Sequence, residues 1–262
     1  MPDPAPSYAA ITVRAAAAAQ VFVDDPAQPV LSDEDAHHLG RVLRLRAGEE
    51  VVVSDGRGHW ARTTWGGGGG GGNAVALEPL RGGTGPGGDG SVQSEARVEP
   101  VLTVAFAPVK GERPEWVVQK LTELGIDRIV PLRSERSVVR WSGARGTATV
   151  DKLRRVVREA AAQSRRVWLP EVSDTVGFDE LASLGEPGEV VLAQLSGDRP
   201  TADQHVVAVG PEGGWSTTEL AAGLPTVGFG LSVLRAETAA VTAGALLVSL
   251  RTGTVAQAGE QA

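Results

Sequence analysis

No cysteine occurs among the 262 residues, so disulfides, thiolate zinc sites, iron–sulfur clusters and cysteine nucleophiles are excluded together. Four histidines do not replace the missing ligands, and no metal is expected. Aromatic side chains are scarce, at 4% of the chain, and lysine occurs only three times against 22 arginines. No apolar run reaches the ~18–20 residues of a membrane helix, and Ala15 to Ala19 is too weakly hydrophobic for a signal-peptide core. A soluble cytoplasmic protein is expected. The 34 glycines and 16 prolines stay below the ~25–30% that marks wholesale disorder. With 42% hydrophobic residues, the chain is long enough for one large domain or two smaller ones.

A net charge of −7 argues, as an average, against a nucleic-acid binder. The average conceals a local excess. Residues 128–168 carry eleven basic side chains against three acidic ones. That segment is therefore +8 and the remainder −15. A solvated arginine-rich surface and a binding face for a polyanion are both compatible with this pattern.

Residues 1–20 are rich in proline and alanine and read as an extension with little structure. From Val21 to about Leu80, short β-type runs separated by turn signals indicate a small β-rich domain. The runs are Val21–Val23, Val51–Val53, Trp60–Trp65 and Val75–Leu77. The glycine run 66–72 contains G-x-G-x-x-G trivially; with no helix behind it, it is a loop tip rather than a dinucleotide fingerprint. Residues 81–99 have no periodicity and read as a glycine-rich linker.

Beyond that linker the period changes, and residues 100–254 alternate strands with helices, with a tail at 255–262. Val101–Ala107, Ile126–Leu132, Val190–Gln194, Val206–Gly210 and Val227–Leu231 are apolar strand candidates. Pro114 opens a helix that Gly125 stops, and Asp151–Gln163 and Ala236–Leu250 are further helices. In 151–163 the apolar residues recur at helical spacing and leave Lys152, Arg155, Arg158 and Glu159 on the outer side, a mainly basic face. This alternation implies an α/β domain with a parallel sheet covered on both faces.

Open parallel sheets bind ligands beyond the carboxyl ends of their strands, which directs attention to the loops after Gln194, Val209 and Phe229. Gly210-Pro211-Glu212-Gly213-Gly214 follows a strand and precedes the capping box Ser216-Thr217-Thr218-Glu219. Glu212 places a carboxylate where a phosphate would sit, which disfavours ATP or NAD and suits a nucleoside carrying a sulfonium. In the second turn, Phe229 to Thr238, Arg235 can clamp a phosphate or a uracil oxygen, and Glu237 lies in a helix first turn where the dipole favours it. Plain capping for Glu237 and a structural ion pair for Arg235 account for them equally well.

Five stretches carry a family resemblance: HHLGRVLRLRAG at 37–48, KGERPEWVVQKLTELG at 110–125, SERSV at 134–138, GPEGGWSTTE at 210–219 and VLRAETA at 233–239. In this order they closely resemble the RsmE family of 16S ribosomal RNA (uracil-N3)-methyltransferases, within the SPOUT superfamily. The likeness runs from about Val21 to Leu250. The chain has Leu231-Ser232 where the family usually has Pro-Arg, and Phe229 where it has Leu.

The resemblance implies a PUA-like β-barrel for RNA at 21–80 and a SPOUT methyltransferase domain with a deep trefoil knot at 100–254. It implies S-adenosylmethionine (SAM) as cofactor, a homodimer, and 16S ribosomal RNA in the small ribosomal subunit as partner. Carried over by position, the cofactor would be held by Gln194, Leu195, Gly210, Pro211, Glu212, Gly213, Gly214, Gly230, Leu231, Val233, Leu234 and Arg235. With uracil as substrate, Arg235 is expected to stabilise charge on the base, and Glu237 to orient or accept the proton. RNA contacts are expected from His37, His38, Arg41, Arg44 and Arg46, and from Arg136, Arg155, Arg158, Arg165 and Arg166. A SPOUT ribose 2′-O-methyltransferase and a non-catalytic RNA-binding assembly factor are the alternatives.

Overall fold

A computed structural model describes residues 6–67 and 77–255. The chain divides into two compact units, the first formed by residues 1–98 with 161–169, the second by 99–160 with 170–262.

In the first unit, helix α1 (Tyr8–Ala16) is capped by the Ser7 side chain and leads to strand β1 (Ala19–Phe22). The expected unstructured extension is thus a helix, because Ala10, Arg14 and Ala17 are buried and give it an inner face. Helix α2 (Asp33–His37), capped by Ser32, continues as a π-helical turn over His38–Val42. Strands β2 (Glu50–Ser54), β3 (His59–Trp65), β4 (Leu77–Pro79) and β5 (Gln93–Ser94) complete a mixed sheet. β1 runs parallel to β2, β2 is antiparallel to β3, and β4 and β5 both pair with β3. The expected strand at Val75–Leu77 lies partly outside the described residues, as does most of the glycine run.

Residues 81–99 are not a bare linker, since β5 belongs to the sheet and Glu95 is buried. The Arg14 guanidinium forms an ion pair with Glu95 and stacks 4.8 Å from the Trp60 ring centroid. Segment 161–169 is part of the same fabric. Gly58 donates to the Val167 carbonyl at 2.9 Å, Leu169 donates to the Gly56 carbonyl at 2.9 Å, and Gln20 Nε2 donates to the Arg166 carbonyl at 2.6 Å. Gly58, at φ +97°, lies where an added Cβ would fall 2.7 Å from the Trp168 ring, so only glycine fits.

The second unit begins with β6 (Thr103–Phe106), followed by α3 (Arg113–Leu124), which ends at Gly125 with φ 107°. β7 (Arg128–Arg133) and α4 (Gly143–Gln163) come next. α4 starts eight residues before the expected Asp151, and its inner residues Leu153, Val157, Ala160 and Ala161 are buried as the periodicity required. Short strands β8 (Glu171–Val172) and β9 (Val176–Gly177) precede a 3-10 helix at Phe178–Leu184. The chain closes with β10 (Val190–Asp198), β11 (Val206–Val209), α5 (Thr217–Leu220), β12 (Thr226–Val227) and α6 (Ala236–Arg251).

The sheet order is β12-β10-β11-β6-β7-β8, all pairs parallel. Continuous apolar strands such as Val206–Val209 follow from burial on both faces. Ala105, Val130, Leu132, Leu192 and Ala208 pack on one face with Leu181 of the 3-10 helix and Trp215. On the other, α6 packs against β6, β11 and α3. Gly244 permits this close approach, since a Cβ there would lie 2.6 Å from Leu121 Cδ2. At the amino ends of the strands, Arg251 is ion-paired with buried Asp127 and donates to the carbonyls of Pro100 and Gly125.

Candidate active site

At the carboxyl ends of β10, β11 and β12, three turns converge on one cleft. The first arises from a break in the sheet. Both Ala193 and Asp198 register with Val227, so Gln194 to Gly197 leave the ladder as a bulge. β12 is correspondingly short, ending at Val227 where the apolar run had suggested a strand to Leu231. The chain leaving it passes against the bulge with backbone on backbone. A Cβ on Gly197 would sit 2.4 Å from the Val227 carbonyl carbon, and one on Gly228 would sit 2.8 Å from the Gly197 oxygen. Gly228 donates to the Asp198 carbonyl at 2.8 Å, which pins the crossing.

The second turn is Gly210–Gly214. Gly214 adopts φ +67° and closes the turn by donating to the Pro211 carbonyl at 2.8 Å. Ser216 and Glu219 form the expected capping box, but Glu219 does more than cap. Its buried carboxylate accepts from the Ser216 backbone at 2.8 Å and from Glu135, in the loop after β7, at 2.9 Å. From the same loop, Arg136 Nη1 donates to the Gly213 carbonyl at 3.0 Å. Arg136, exposed otherwise, thus supports the glycine-rich turn with one of its nitrogens.

Trp215 was not anticipated as a site residue. It is buried, its Nε1 donates to the Ala193 carbonyl at 2.9 Å, and its ring lies where a Gly210 Cβ would be 3.1 Å away. One indole therefore joins the first two turns. Its signal in the sequence is its place directly after Gly214. Apolar positions after a turn normally read as core, which Trp215 also is.

The third turn, Gly228 to Arg235, enters α6, whose N-cap is Arg235. Of the expected cofactor residues, Gln194, Leu195, Gly210, Pro211, Glu212, Gly214, Gly230, Val233 and Leu234 line the cleft. Gly213, Leu231 and Arg235 do not. Leu231 is fully exposed and Arg235 is also exposed. Ala193, Val209, Trp215, Val227, Phe229, Ser232, Ala236 and Ala239 complete the lining. Glu212 is the sole charged side chain among these lining residues, and no lysine or arginine accompanies it. A phosphate-rich ligand would find no cation here, whereas an adenosyl group with a sulfonium meets apolar walls, backbone polar groups and one carboxylate.

Arg235 and Glu237 are not brought together. Glu237 Oε1 lies 3.4 Å from Arg113 Nη1, and Oε2 is buried without a partner. Arg113 stands at the start of α3 in the KGERPEW stretch and had been given no role. Nearby, Lys152 is bonded to Glu115 at 2.6 Å, and this partner raises the lysine's pKa.

Apart from Arg136, the expected RNA contacts fall into two groups. His37, His38, Arg41, Arg44, Arg46, Arg155 and Arg158 are exposed. Arg165 is instead turned inward, donating to the Ala17 carbonyl at 2.7 Å, and burial lowers its pKa. Arg166, half-buried, offers its carbonyl to Gln20. Both sit in the inserted segment of the first unit, and sequence charge alone does not reveal that the Arg165 side chain braces the fold.

An RNA methyltransferase domain model matches residues 97–248, and an RNA methyltransferase PUA domain model matches residues 31–64. Ribosomal RNA small subunit methyltransferase E of Mycobacterium tuberculosis is 33% identical over 239 residues, covering 84% of this chain and 86% of that protein. The chain belongs to this family. The Synechocystis enzyme of the same name is 32% identical over 237 residues, covering 84% of this chain and 72% of its own. Among solved structures, a Legionella pneumophila protein described as a methyltransferase, with SAM bound, has a TM-score of 0.70 at 25% identity. The match covers 87% of this chain and 96% of that one. The RsmE membership accounts for both units, the β-rich first as the PUA-like domain and the parallel α/β second as the methyltransferase domain.

Proposed function

We propose that this RsmE-family chain transfers a methyl group from SAM to N3 of a uridine in 16S ribosomal RNA of the small subunit. The observation that carries the reading is the cleft at the three strand ends, whose lining has Glu212 as its one charge. SAM supplies an electrophilic methyl on sulfur. The chain's task is to present a uracil nitrogen in line with it and to accommodate the N3 proton. Arg235, exposed at the mouth beside the lining residues Leu234 and Ala236, is placed to meet charge spreading onto the uracil oxygens. Glu237 holds Arg113 and through it the entry to α3, which makes it an orienting residue.

The tight backbone crossing at Gly197 and Gly228 supports a trefoil knot in this domain. Leu231, Val233 at 84% exposure and Leu195 at 55% ring the cleft with apolar surface, which supports closure by a second copy in a homodimer. Exposed His37, His38, Arg41, Arg44 and Arg46, with Arg155 and Arg158, are the proposed RNA contacts.

The test is methyl transfer from labelled SAM to small subunits lacking their native methylation, followed by mass spectrometry of the product nucleosides. Label in 3-methyluridine is expected. Label in a 2′-O-methylated nucleoside, or no label together with no SAM binding, overturns the reading. Arg235→Ala should lower kcat about 100-fold with SAM affinity retained.

A further inference from the structure

A second cavity, of about 520 Å³, lies in the methyltransferase unit behind the cofactor turn. Its volume is in the ~300–1,000 Å³ range of small-ligand sites. Arg133 and Arg140 line it, together with Ser134, Phe178, Thr218 and Leu224. Ser134 is 2% exposed and its Oγ has no hydrogen-bond partner, which is costly for a buried hydroxyl. Glu135 and Asp179 also line the cavity, yet neither is ion-paired with Arg133 or Arg140 among the described residues. The lining thus carries two guanidiniums and three carboxylates; the third, Glu219, is taken up by the Glu135 and Ser216 backbone amides, and neither arginine is locked in an ion pair among the described residues. Phe178 and Leu224 add an apolar wall, so the site combines a phosphate clamp with a surface for a flat base.

The cavity is mechanically tied to the cofactor cleft. Glu219, which lines it, holds the Ser216 cap, and the Phe178 ring meets the Trp215 ring at 5.6 Å between centroids. Trp215 in turn lines the cofactor cleft. We propose that this cavity takes a nucleotide of the RNA substrate next to the one that is methylated. Its phosphate would lie between Arg133 and Arg140, and its base against Phe178 and Leu224. This rests on the proposed RNA methyl transfer and adds a subsite that fixes which strand conformation reaches the cofactor.

The test compares the wild-type chain with the double variant Arg133→Ala/Arg140→Ala and with Ala182→Trp, which fills the cavity without removing charge. Small subunits serve as substrate. Both variants should raise KM for the subunit about tenfold while the Kd for SAM, measured separately, stays unchanged. The double variant should also reduce the slope of log affinity against log salt by about 0.7, the value for one single-strand phosphate. Unchanged KM in both variants, with the wild type active, overturns the subsite. A rise in the double variant alone also overturns it, because the arginines then act as general surface charge. A wild-type chain that transfers no methyl overturns the parent reading and the subsite with it.

Discussion

In the first unit, Arg14 and Glu95 form an ion pair with side chains only 4% and 5% exposed, beneath a sheet of short strands completed by residues from 161–169. In the second, the central strands bury valine, alanine and leucine on both faces, and the deep ion pair, Arg251 with Asp127, sits at the amino ends of the strands, away from the cleft. A small unit cannot bury enough apolar surface to stand on that alone, so it enlists buried polar networks and borrowed chain. The larger unit has an apolar core that leaves its strand ends free for ligand-binding turns.

That contrast makes Glu95→Ala the most damaging substitution expected. It strands the buried Arg14 guanidinium and should cost about 3–5 kcal/mol in denaturant unfolding. A loss below 1 kcal/mol would show that the pair is not the keystone of the first unit. In the second unit the sensitive point is backbone contact. Gly197→Ala puts a methyl on the Val227 backbone, so the bulge must shift; a stability loss of about 1–3 kcal/mol and at least tenfold weaker SAM binding by calorimetry are expected.

The charged residues sharpen the same comparison. Arg155→Glu/Arg158→Glu should lower RNA affinity and flatten its salt dependence by about one unit of slope or more. Arg165→Ala should leave that slope unchanged and lower the melting temperature, because its guanidinium supports Ala17. Equal salt slopes for both variants and wild type would reduce the basic face of α4 to a solvated surface.

The smallest effect concerns Asp55. Burial raises its pKa, but donors outweigh that and leave it below the usual carboxylate range: the Arg57 and His59 backbone amides and the His59 ring. Its contribution is therefore fully present above the unfolded pKa near 4 and is lost as pH falls through the lower folded value. Asp55→Asn should be less stable than wild type at neutral pH, and the gap should close on acidification. A gap that widens below pH 4 would contradict this assignment.

Much of the candidate cleft was legible because its signals are local. A glycine-rich turn after an apolar strand, a capping box and a proline-opened helix each depend on a few consecutive residues, and Gly214 and Gly125 take the positive φ that such turns demand. The role of Trp215 was not legible, since its bond to Ala193 joins residues 22 apart. Glu237 looked like a partner for Arg235, but its ion pair crosses to Arg113, more than 120 residues upstream. Arg165 counted as free positive charge until the fold turned its guanidinium to the Ala17 carbonyl at the end of α1.

By itself, the sequence determined the principal strands and helices of the second unit, its parallel α/β class, and the three turns that meet at the cleft. Periodicity, capping and glycine turns act over one or two helical turns, and single-chain patterns record such interactions directly. Only the tertiary structure decided that residues 161–169 complete the first unit, that Gln194 to Gly197 leave the sheet, and that Arg133 and Arg140 share a second cavity. Each of these depends on contacts between distant segments, whose free energy comes from burial and pairing in three dimensions.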